Sequence, residues 1–142
     1  MATATQSQNT LNTQKLLTVA AIAGGVGAFI NLIVFFVLPA LFNVTLRVPL
    51  QGPGSELAPL PFFLVIMASV MPAFVGAGVF WALTKFTARP VGIFRVIALV
   101  IGGFSLIMPF SMGIGTTEAI ILDVMHIVVA VVVTYFITTQ TK

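Results

Sequence analysis

The stretch LLTVAAIAGGVGAFINLIVFFVL, residues 16–38, contains no charged residue, and its length decides what kind of molecule this is. At about 1.5 Å per helical residue, such a run crosses a hydrocarbon core of about 30 Å. Three more apolar blocks follow at residues 61–84, 93–113 and 118–138. Each is roughly 20 residues or longer, as a membrane-spanning helix requires. The chain reads as an all-α membrane protein, an antiparallel bundle of four transmembrane helices with a Pro-rich outer loop. Residues 16–139 form one domain. The polar tail 1–15, rich in Thr, Gln, Asn and Ser, is expected to be disordered.

Composition excludes several function classes. Only 6% of the 142 residues are charged and 59% are apolar. No segment outside the four blocks is long enough for a soluble catalytic domain, which needs more than about 40 residues. The chain has no cysteine, so thiol redox chemistry and thiolate metal sites are out. The six basic residues do not form a nucleic-acid surface. Lys85, Arg89 and Arg95 cluster between spans two and three and serve as orientation signals. Lys15 and Lys142 fall on the same side, and only Arg47 falls on the other. This asymmetry places both termini in the cytoplasm. Trp81 and Tyr135 lie near the inner ends of spans two and four, where amphipathic rings prefer the headgroup level.

The outer loop, residues 39–60, carries proline at 39, 49, 53 and 59 and a Gly52-Pro53-Gly54 turn, which exclude a long helix. Within it, Asn43 to Val48 is β-prone and is expected as an extended segment or hairpin arm over the bundle. Pro72 and Pro109 lie inside spans two and three and predict local kinks there.

Small and polar residues define the inward faces. Ala20, Gly24, Gly27 and Ala28 recur at steps of three and four, and Asn31 falls in the same stripe. Gly24, Gly27 and Ala28 are therefore the expected packing surface of span one. Ser69 lies on a small-residue face of span two, and Ser105 on one of span three. Asp123 and His126, three apart on span four, can meet on one helix face. By depth, Asn31, Ser69, Ser105, Asp123 and His126 all fall in the outer half and are expected to form one intramembrane polar cluster. Glu118, at the start of span four, is expected to cap that helix near water.

Two roles compete for this cluster: a hydrogen-bond node joining helices, or proton or ion handling by Asp123 and His126. With one histidine, bis-histidine haem ligation within the chain is excluded. His126 could still act as a single axial ligand to a haem or pigment. No metal site and no catalytic residue is expected, since zinc lacks ligands and Ser105 lacks oxyanion donors.

Arg89-Pro90, Ser105, Pro109 and the run Asp123-Val124-Met125-His126-Ile127-Val128-Val129-Ala130 resemble a family of small four-helix bacterial membrane proteins of unknown function. The resemblance covers about Leu16 to Ile137 and implies a fold and a bacterial origin, with no activity to carry over. The functional expectation is a non-enzymatic accessory or structural protein with no cofactor, packing with lipids, other membrane subunits or itself. The alternatives are a small proton- or ion-coupled carrier and a cofactor- or pigment-bearing subunit.

Overall fold

A computed structural model describes residues 12–52 and 54–141. Four helical segments are long and apolar enough to cross a membrane: Thr13–Phe42, Phe62–Phe86, Pro90–Ser111 and Thr116–Gln140. The first is α1 (Thr13–Phe42). It starts where the Asn12 side chain accepts the Lys15 backbone N–H at 3.2 Å, so Thr13 to Lys15 belong to the helix rather than to a disordered tail. Residues 1–11 of that expected tail lie outside the described residues.

α1 also continues beyond residue 38, through Pro39, one turn further than expected. It ends at Asn43, whose φ of 53° is left-handed and whose N–H turns back to the Pro39 carbonyl. Asparagine tolerates that conformation better than most residues, which is why the helix stops there.

The loop that follows folds into two short strands, β1 (Arg47–Pro49) and β2 (Leu57–Pro59), paired antiparallel with Val48 opposite Ala58. Proline at the end of each strand withholds a donor and keeps the ladder to three pairs. Leu46, just before β1, is buried against Val65, Ile121, Leu122 and Met125. Its carbonyl accepts from the Leu60 N–H at 2.8 Å. The hairpin thus seals one end of the bundle, here called the loop end; the opposite end, where Thr13 opens α1 and Gln140 closes the last helix, is the tail end.

α2 (Phe62–Phe86) runs unbroken through Pro72. The third span is different. α3 (Pro90–Ser105) stops, two residues turn more tightly, and α4 (Met108–Ser111) resumes. Pro109 has no N–H to give the Ser105 carbonyl, and the break falls on that missing bond. After Gly113, with φ 70°, α5 (Thr116–Gln140) returns to the tail end.

Neighbour relations fix the directions. Gly24 faces Val70 and Ala73, while Gly27 faces Ser69, so α1 and α2 are antiparallel. Gly102 faces Ala130 and Arg95 meets Thr138, so α3 and α5 are antiparallel as well. The core has two apolar halves. Leu16, Ala20, Ala73, Ala77, Phe80, Phe94, Val133 and Ile137 pack at the tail end, and Val65, Ile121, Leu122 and Met125 pack under the hairpin. α1, α2 and α5 supply nearly all of both. α3 contributes Phe94, edge-on to Phe80 with ring centroids 5.5 Å apart.

Candidate functional site

Two places in the bundle hold polar groups within the span: an interior node and a lateral groove. The node is built by small residues. A Cβ on Gly24 would lie 3.1 Å from the Val70 Cα, so α1 and α2 touch backbone to backbone there. That approach brings Ser69 within reach of α1. Asn31 Nδ2 donates to Ser69 Oγ at 3.0 Å and to the Met125 carbonyl of α5 at 3.1 Å. Ser69 Oγ donates in turn to the Val65 carbonyl at 2.8 Å. Asn31 is 2% exposed and Ser69 fully buried, so one carboxamide joins three helices away from lipid. The whole expected stripe of α1, Ala20, Gly24, Gly27, Ala28 and Asn31, is buried.

The five polar side chains do not converge as expected. Ser105 Oγ donates to the Gly102 carbonyl of its own helix at 2.7 Å, at the point where α3 ends. His126 is on the outside of α5, its Nδ1 bonded to the Leu122 carbonyl at 2.7 Å. A carbonyl only accepts, so Nδ1 carries the proton and is committed to the helix backbone, not to Asp123. Asp123 is half-buried, and its Oδ1 is buried with no hydrogen-bond partner. Asn31 Oδ1 is in the same condition. The single cluster therefore separates into a three-helix node and three side chains on α3 and α5. The reason is angular: the rotation of α5 about its own axis, invisible in sequence spacing, turns His126 outward. Glu118, expected as a cap, sits in the first turn of α5 with its carboxylate folded onto Gly115, the N-cap.

The groove lies between α3 and α5 and has a volume of about 570 Å³. Ala98, Gly102 and Ala130 line its floor, with His126 towards the loop end and Arg95 and Thr138 at the tail end. Arg95 Nη2 lies 3.5 Å from Thr138 Oγ1. Sequence periodicity marked the small residues of α3 as a packing face, but it gave no sign that α5 would leave a furrow beside them. The Met125 carbonyl was equally hidden, because any residue supplies a carbonyl.

Residues 11–142, which contain the node, the groove and all four spans, match a family described as a family of unknown function (DUF6069). The chain belongs to this family. No curated protein and no solved structure matches it. Membership thus agrees with the resemblance carried by Arg89-Pro90 and the Asp123 to Ala130 run, and the site's chemistry has to be argued from its own geometry.

Proposed function

We propose that the chain is a non-enzymatic accessory protein of a bacterial inner membrane, packing laterally with lipids, with other membrane subunits or with itself. The observation that carries this reading is the Asn31 carboxamide. The best-placed interior polar group donates to two other helices and is buried away from the surface. α3 meanwhile turns Val96, Leu99, Val100, Ile101 and Phe104 outward, an apolar face suited to lateral contacts. Purification in mild detergent tests the reading: the expected result is a lipid-laden or partnered species without turnover. A solitary particle that catalyses a reaction would overturn it.

Orientation is part of the proposal. Lys15, Lys85, Arg89, Arg95 and Lys142 against Arg47 favour a cytoplasmic tail end. The chain has no native cysteine, so Gln51→Cys should label with an impermeant thiol reagent in intact cells while Ala88→Cys should not. The reverse pattern would invert the topology.

One observation favours a second reading, a proton- or ion-coupled carrier. An ionisable group within a span is costly to keep, and Asp123 Oδ1 is buried without a partner. In proteoliposomes a pH-driven flux abolished by Asp123→Asn, with the fold intact, would establish this alternative. Absence of flux in the unmodified protein would remove it.

A further inference from the structure

We propose that the groove between α3 and α5 holds one acyl chain of an anionic phospholipid, whose phosphate rests on Arg95 at the tail end. This deepens the accessory reading above and rests on its placement of the tail end at the cytoplasmic leaflet.

Charge is the first argument. Arg95 is exposed at the mouth of the groove, and its one hydrogen bond among the described residues is the long one to Thr138. The chain has three acids, Glu56, Glu118 and Asp123. Glu56 lies in the loop between the strands and Glu118 in the first turn of α5, both at the loop end. Asp123, the nearest to Thr138 along α5, is fifteen residues away, about 22 Å along the helix. Among the described residues no carboxylate lies near Arg95, while Lys85 and Arg89 add positive charge on the same side. A lipid phosphate complements that charge with two or more acceptor oxygens suited to a guanidinium fork.

Length is the second. From Thr138 to His126 the groove follows twelve residues of α5, about 18 Å. Half of a hydrocarbon core of about 30 Å is about 15 Å, the depth of one leaflet. The groove thus begins at headgroup level and ends near the midplane, as a single chain of that leaflet does. Its walls fit that occupant. Gly102 and Ala130 leave the floor open, Leu99 and Val131 supply apolar sides, and Tyr135 stands beside the mouth at headgroup level.

Native mass spectrometry of the protein in mild detergent, titrated with phosphatidylglycerol or phosphatidylcholine of the same chains, tests the assignment. One phosphatidylglycerol should bind about fivefold more tightly than phosphatidylcholine, the preference that one cation gives near an anionic headgroup. Arg95→Gln should abolish the preference, and Arg95→Lys should keep most of it. Ala98→Trp, which fills the furrow, should lose both lipids. Arg89→Gln, the same change of charge outside the groove, should leave the preference intact. Equal effects of Arg89→Gln and Arg95→Gln would mean diffuse surface attraction and overturn the proposal. So would Leu99→Cys disulfide formation between copies that phosphatidylglycerol does not suppress, since a second chain would then occupy the groove. Thiol labelling of Gln51→Cys and Ala88→Cys tests the leaflet separately, so a failure of orientation is not mistaken for a failure of binding.

Discussion

α1 and the third span, α3 with α4, are both apolar and long enough to cross a membrane, yet they meet their neighbours in opposite ways. In α1 the small residues face inward and the large ones, Phe29, Ile33 and Phe36, face out. Glycine then lets α2 approach to backbone contact, and the contact places Asn31 where it can bond both α2 and α5. In α3 the small residues border a furrow instead. Of the third span's apolar stretch 6% is buried, against 28% in the first and last spans. Hydrophobicity, which is nearly equal in the two, therefore says nothing about attachment. In lipid, what attaches a helix is close backbone approach and a shared hydrogen bond.

The sharpest way to break this comparison is to add bulk on each side of it. Gly24→Leu should force α1 from the Val70 backbone and cost about 3 kcal/mol, near the upper end for overpacking, read as a fall in melting temperature in detergent. Gly102→Leu should cost less than half as much, because the nearest atom its Cβ meets is the Ala130 side chain at 3.6 Å. Equal losses would show that α3 is held as firmly as α1. Next comes the node itself. Asn31→Leu removes two interhelical bonds and should cost about 1–2 kcal/mol, with Ser69 still satisfied by its own Val65 carbonyl. A neutral result would mean that glycine packing alone holds α1.

Asp123 should respond in the opposite sense. Its buried oxygen has no partner to lose, so Asp123→Leu should be neutral or stabilising by up to about 1 kcal/mol in equilibrium unfolding. A loss of stability would reveal a bond that joins Asp123 to another helix. The smallest effect is expected at Phe104, 70% exposed on the outer face of α3, where Phe104→Ala should change stability by less than about 0.5 kcal/mol.

The spans and the α1 stripe could be read from sequence because length and three- and four-residue spacing are the physical causes of those features. Gly24, Gly27 and Asn31 share a face in any α-helix, and the face was bound to be buried once a neighbour could approach it. The break before Pro109 falls on proline's missing donor, but Pro39 and Pro72 lie inside unbroken helices, so the residue type alone does not announce a break. The node was half legible. Asn31 and Ser69 were recognisable as inward polar groups, but their third partner is a main-chain carbonyl that no residue type announces. The outward turn of His126 and the furrow beside Gly102 depend on how helices rotate against one another. That rotation is decided by the sum of many weak contacts, and residue spacing leaves it open.

The Asn31 node also implies an order of assembly. Ser69 is synthesised soon after Asn31, and the hairpin ties the two helices together as they emerge. Met125 comes 56 residues after Ser69 (125 − 69). At about 5–20 residues per second, the first two spans wait roughly 3–11 s with one amide hydrogen of Asn31 lacking its final acceptor. The arrival of α5 brings the Met125 carbonyl and ends that interval.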